Sequence, residues 1–166
     1  MQRKITGAQN VSRMCMVCGR DNPWSLKARF YELEGRELLG VFTMQDAHQS
    51  YPGRVHGGVV TAMLDETIGR AIIIAHPDTW GVTVEITVKY RKPVPLNGDI
   101  RVVGRITRDA SRLFEGTGEI ILADGSVAVE AAGKYLKMGL EDITEASFSA
   151  SEWFADERGR PAEIEL

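Results

Sequence analysis

Two short stretches of this sequence have residue types and spacing that can do chemistry. The first is Val55-His56-Gly57-Gly58-Val59, with Asp65 and Glu66 following. Two glycines where a helix begins let a ligand approach the backbone closely. The N–H groups of a helix's first turn have no intrahelical acceptor and point outward at the positive end of the dipole. They suit a developing oxyanion. Asp65 stands two turns further on, in a row with Thr61, Ile68 and Ile72. A carboxylate beside an apolar stripe is partly desolvated, which favours its neutral form and suits a general base. The bland alternative is an exposed aspartate paired with Arg70. The second stretch is Cys15-Met-Val-Cys18-Gly19, half of a zinc site or a redox pair. No second cysteine pair exists, and the nearest histidine, His48, is 30 residues on. Packing of small apolar residues is therefore expected, and no metal. A four-cysteine site shared by two chains is the minority alternative.

Spacing adds a constraint. Gly57 and Asp65 stand about 12 Å apart along a helix. A base and an oxyanion donor must both lie about 3 Å from one carbonyl. One chain does not easily supply both. Two antiparallel helices in a symmetric dimer do, each giving its Gly57 end to the other's Asp65.

The elements that must carry these residues follow from periodicity. Val60, Leu64, Ile68, Ala71 and Ala75 recur every three or four residues, which predicts an amphipathic helix over 57–75, with Pro77 beyond its end. Alternation predicts strands over 26–33 and 37–44, joined at Glu34-Gly35. Four more are expected over 82–90, 99–108, 112–122 and 126–138, with turns at Asn97-Gly98 and Asp124-Gly125. In the third strand, Val82, Val84, Ile86, Val88 and Tyr90 should face one way, and Thr83, Glu85, Thr87 and Lys89 the other. One helix and an antiparallel meander make an α+β class. A single helix leaves sheet edges open, and a homodimer, or a tetramer of two such dimers, is the natural remedy. Residues 1–23 read as a loose lead-in, 24–139 as the folded domain and 140–166 as an acidic tail, with a polar helix over 145–157 docking through Phe148, Trp153 and Phe154. The three tryptophans, Trp24, Trp80 and Trp153, are expected to pack.

The chain of 166 residues has a net charge of −3. That balance argues against a nucleic-acid partner. The longest apolar run, Ala71 to Ala75, is too short to span a membrane, and no secretory leader is apparent, so a cytoplasmic protein is expected. Residues 140–166 carry a net −6 and residues 1–139 a net +3. Within 82–112, seven bases face three acids. Arg91 and Lys92, at the end of the third predicted strand, are the first candidates to meet an anionic ligand.

With these residues quoted, the sequence resembles the hot-dog-fold acyl-CoA thioesterases, in the phenylacetate-degradation-type and 4-hydroxybenzoyl-CoA-like branch. The resemblance rests on His56-Gly57-Gly58 with Asp65 at this spacing, Pro52-Gly53 before it, Gly81 to Glu85, Tyr90 to Val94 and Asp124-Gly125, across about residues 24–138. It implies an antiparallel sheet wrapped around one central helix, and hydrolysis of acyl-CoA thioesters without a cofactor beyond the coenzyme A of the substrate. It implies that Asp65 is the general base or nucleophile and that the Gly57 N–H polarises the carbonyl. His56 and Gly58 would shape the loop and position the thioester. Thr83 matches a Ser/Thr position that holds the water or the carboxylate. The family often has an Asn six residues before the His. Ser50 stands there, and the neighbouring Gln49 is the candidate for its polar role. Glu66 exchanging roles with Asp65 is a further possibility. Three rivals remain: a hot-dog hydratase or dehydratase using His56 or His48, a non-catalytic acyl-CoA-binding module, and a CxxC metal or redox protein.

Overall fold

A computed structural model describes residues 2–144 and 151–166. Among these described residues, ten strands and two helices follow in the order β1 (Gln2–Ala8), β2 (Val11–Ser12), β3 (Arg29–Leu33), β4 (Glu37–Thr43), α1 (Gly57–Arg70), β5 (Trp80–Tyr90), β6 (Asp99–Asp109), β7 (Leu113–Ile121), β8 (Val127–Met138), α2 (Leu140–Ile143), β9 (Trp153–Phe154) and β10 (Glu163–Glu165). Eight strands form one antiparallel sheet in the order β10-β1-β3-β4-β6-β7-β8-β5, and β2 pairs with β9. The expected strands and turns are all present within a few residues, and the sheet packs around α1.

Helix α1 lies in the sheet because its inner face is apolar. Val60, Met63, Leu64 and Ile68 are buried against Phe30, Phe42, Val102, Phe114 and Ile120. Close approach is allowed by Gly104 and Gly118, directly opposite each other in β6 and β7. A Cβ on Gly104 would stand 2.9 Å from the Thr67 carbonyl oxygen, and one on Gly118 2.9 Å from the Ile68 side chain. Substitution there would push helix and sheet apart. The helix is shorter than its apolar stripe. After Arg70 the chain tightens into a 3₁₀ turn over Ala71–Ile74, and Ala75 is exposed. Three consecutive β-branched isoleucines crowd a regular α-turn, and the tighter i+3 pattern ends the helix.

The two termini differ from expectation. Residues 2–8 are not a loose lead-in: β1 joins the sheet beside β3. Its single large apolar residue, Ile5, packs on the sheet's outer face with Tyr31, Leu33, Leu39, Val41 and Val103. One apolar residue gives no alternation to read. Residues 145–150 of the expected polar helix, with Phe148, lie outside the described residues. Trp153 and Phe154 do dock, but as strand β9 on β2. The tail then returns as β10 to pair with β1, and Ile164 and Leu166 cover the outer-face cluster. Trp80 and Trp153 meet edge to face with centroids 4.9 Å apart, whereas Trp24 is exposed. Among the described residues no helix is long and apolar enough to cross a membrane.

Candidate active site

Asp65 is half-buried on α1 and its carboxylate is held from two strands. Thr83 Oγ1 donates to Oδ1 at 2.9 Å and to Oδ2 at 3.1 Å. Tyr135 donates its hydroxyl to Oδ1 at 3.2 Å. Burial raises the carboxyl above the ordinary aspartate value, the two hydroxyl donors oppose the rise, and the neighbouring Glu66 charge adds to it. The net direction is upward, as its place beside the apolar stripe implies. Arg70 pairs with Glu66 instead, Nε to Oε1 at 2.7 Å. Glu66 is thus engaged in an ion pair through Oε1, whereas Asp65 has no salt-bridge partner among the described residues. A cavity of about 110 Å³ opens beside it, lined by Glu66, Gly69, Trp80, Gly81, Thr83 and Tyr135 among others.

Strict alternation would turn Thr83 away from the helix. It faces Asp65 because the β5–β8 register slips between Thr83 and Glu85. Val84 is the extra residue of a β-bulge, and the bulge flips the pattern. Thr83 therefore shares the inner face with Ile86, Val88 and Tyr90, and Val84 is thrown out to solvent, 62% exposed. Tyr135, which sequence reasoning missed, pairs directly with Thr83 across the ladder. Its ring stacks on Phe114 at 5.0 Å. It lies over Gly133, where a Cβ would stand 2.6 Å from the ring. A glycine two residues before an aromatic on one strand face was the available signal.

The helix start forms a separate place. His56 is the N-cap, its Nδ1 accepting from the Gly58 N–H at 3.0 Å. That fixes Nε2 as the protonated nitrogen of the neutral ring, so His56 is a donor and not a base. Gly58 is thereby committed to the cap, and Gly57 keeps its N–H as the outward donor of the first turn. The Gly57 carbonyl accepts from Tyr90 at 2.7 Å and from Thr61 at 3.1 Å, which anchors the turn to β5. A cleft of about 320 Å³ here is lined by Ser50, Arg54, Gly57, Tyr90, Arg91 and Lys92 among others. Arg54 was not singled out from the sequence. Arg91 is bound to Glu130 through both Nε and Nη2, at 2.9 and 2.7 Å, so part of its charge is spent. Gln49 faces the loop: its Oε1 accepts from the Gly53 N–H at 2.9 Å. His48 is buried, with Nδ1 accepting from the Gln45 N–H at 3.0 Å and Nε2 2.9 Å from the Trp24 carbonyl. Both its nitrogens are occupied by the backbone.

One chain thus brings Asp65, Thr83 and Tyr135 together, and separately gathers Gly57, Arg54, Arg91 and Lys92. The two groups share no lining residue. The structure of a single chain does not unite them.

The family model of the thioesterase superfamily matches residues 52–129. Mouse acyl-coenzyme A thioesterase THEM4 is 24% identical over 115 residues, 69% of this chain and 49% of that protein. The matched part thus spans about half the length of that relative. An uncharacterized protein of Schizosaccharomyces pombe is 28% identical over 119 residues, 68% of either chain. Among solved structures, a thioesterase superfamily protein superposes with TM-score 0.68 at 29% identity, covering 75% of this chain and 64% of the other. The E. coli PaaI protein of the phenylacetic acid degradation operon shares the fold with TM-score 0.61 at 13% identity, over 69% of this chain and 81% of its own.

Proposed function

Starting from a chain with the hot-dog fold and the sequence match of the thioesterase superfamily, we propose that it hydrolyses acyl-CoA thioesters at a site shared by two subunits. The observation that carries this reading is the half-buried Asp65 carboxylate, held by Thr83 and Tyr135 at the mouth of a cavity. An aspartate so placed is aimed and partly desolvated, with no ion-pair partner among the described residues. It takes a proton from a water that attacks the thioester carbonyl, or attacks the carbonyl itself to give a mixed anhydride that a water then hydrolyses to the free acid. The oxyanion that forms is met by the Gly57 N–H, and collapse expels the coenzyme A thiolate.

The sheet's open edge supports the reading of a shared site. Among the described residues, strand β5 has a neighbour on one side only. It contacts Asp65 near its start, through Thr83, and Gly57 at its end, through Tyr90. Antiparallel pairing of two β5 strands about a two-fold axis near their middle sets the Thr83 end of one beside the Tyr90 end of the other. Each Asp65 then approaches the partner's Gly57, and Arg54, Arg91 and Lys92 lie at the same cleft to take the coenzyme phosphates. Pairing would also cover Val84. The hydratase reading loses His48, whose ring is fully engaged by backbone.

The test is free-thiol release over short, long and aromatic acyl-CoAs, wild type beside Asp65→Asn. The expected loss is about 10²-fold or more, the usual size of a general-base effect. Equal rates would overturn the catalytic assignment. Acyl-CoA binding without thiol release, unchanged in Asp65→Ala, would favour a binding module.

A further inference from the structure

We propose that Cys15, Cys18 and Glu66 form a binding site for a thiophilic divalent cation, zinc by preference, that clips the N-terminal loop to α1. The two Sγ atoms and a Glu66 carboxylate oxygen lie within 4.8 Å of one another. Tetrahedral zinc with bonds of about 2.0–2.3 Å needs neighbouring ligand atoms about 3.5–3.8 Å apart, so a small closure completes three of the four positions. Water takes the fourth. Sequence spacing showed only two ligands, because the third comes from a helix 48 residues beyond Cys18.

The loop is already folded for this task. The Gly19 N–H donates to the Cys15 carbonyl at 2.8 Å, closing a tight turn that presents both thiols on one side. A Cβ on Gly19 would stand 2.2 Å from that carbonyl oxygen, so only glycine fits after the second cysteine. Backbone N–H groups are aimed at both sulfurs. Val17 donates to Cys15 Sγ at 3.3 Å and Ser12 to Cys18 Sγ at 3.4 Å. Such donors stabilise the thiolates that zinc requires.

Charge counting favours the cation as well. Arg70 is buried, and its guanidinium reaches Glu66 Oε1 at 2.7 Å, Cys18 Sγ at 3.1 Å and the Asn10 carbonyl at 2.8 Å. It is sandwiched by the rings of Phe30 and Trp153 at 4.3 and 4.7 Å. Two thiolates and one carboxylate carry −3, and a divalent ion with Arg70 carries +3. The loaded cluster is neutral, as a buried group must nearly be. Thiolate donors choose zinc over magnesium or calcium.

The test uses the full chain, purified with reduced thiols and freed of metal by chelator. Cobalt(II) is titrated as a spectroscopic probe and zinc by chelator competition, with reduced thiols counted throughout. One ion per chain is expected, with a thiolate-to-cobalt charge-transfer band and the visible bands of a tetrahedral centre. Cys15→Ser should abolish tight binding, and Glu66→Gln should weaken zinc at least 10-fold while keeping the charge-transfer band. Circular dichroism identifies any variant that fails to fold, and Glu66→Asp, keeping a carboxylate, should retain a part of the affinity. The proposal is overturned if the folded, reduced chain shows no charge-transfer band. It is equally overturned if Glu66→Gln binds zinc as tightly as wild type, or if the cysteines form a disulfide in preference to binding zinc in a thiol-buffered solution. None of these readouts depends on thioesterase activity.

Discussion

Replacing Thr83 with valine keeps shape and β-branching and removes one hydroxyl. In the wild type that hydroxyl lies 2.9 and 3.1 Å from the two oxygens of Asp65. A hydrogen bond to an ionised partner contributes about 1.5–3 kcal/mol. Asp65 is only half-buried, so solvent screening reduces this to about 1–2 kcal/mol. The donor favours the charged carboxylate, so its loss should move the Asp65 pKa further up. The base form then disappears at a higher pH. The acid limb of kcat/KM should shift to higher pH, and kcat on the plateau should fall about 10-fold, the size of a lost hydrogen bond of this strength, because the carboxylate is no longer aimed. KM should change little. The assay is thiol release across pH, wild type beside Thr83→Val and the conservative Thr83→Ser, which should recover most of the rate. A Thr83→Val enzyme with unchanged rate and unchanged acid limb would refute the claim that β5 aims the base.

Other outcomes follow from the same geometry. Deleting Val84 removes the extra residue, so Thr83, opposite Tyr135, and Glu85, opposite Lys134, become consecutive in a regular ladder and Thr83 still faces Asp65; kcat should fall far less than in Thr83→Val while circular dichroism still reports a folded sheet. Lys92→Ala should raise KM for acyl-CoA about 3–10-fold with kcat unchanged, and the difference should shrink at high salt, where screening weakens phosphate contacts. Burial pushes Glu37 up, but hydrogen bonds from Arg3 and Arg105 outweigh it, and its carboxyl stays below the ordinary 4.5. Its stabilisation is therefore present above pH 4.5 and lost as pH falls through and below that value. Urea unfolding of Glu37→Gln should show a weaker dependence on pH in that range than wild type.

The sequence revealed the central helix and six strands because each has a clean period and a turn residue at its end. It did not reveal β1, β9 or β10. Those strands carry one or two apolar residues each, and only their pairing defines them. Asp65 and the Gly57 turn were legible from their place at the helix start and beside its stripe. Thr83 was legible only through family resemblance. Its alternation pointed outward, and no local signal announces that Val84 is an extra residue. Tyr135 was hidden because its role arises from pairing with Thr83 across two strands. Arg54 was hidden because it lies in a loop whose path no period describes. Glu66 was legible as a neighbour of Asp65, but its nearness to Cys15 and Cys18 arises only when their turn folds against α1. The acidic tail, whose expected docking residues are Phe148, Trp153 and Phe154, also packs onto the sheet through Ile164 and Leu166.

The claim that Asp65 of one subunit works with Gly57 of the other can be tested by complementation. Gly57→Pro removes only the first N–H of the helix, where proline is tolerated. His56, at φ −63° and ψ 137°, already has the extended backbone a following proline requires. Loss of an oxyanion donor should cost that variant about 10²–10³ in kcat. Asp65→Asn should be similarly inactive. Co-refolding equal amounts of the two inactive chains makes mixed dimers in which one site has both residues intact. If the site is shared, about a quarter of wild-type thiol-release activity should return, since half the dimers are mixed and each has one good site. Mixed dimers as inactive as either parent would contradict the shared site.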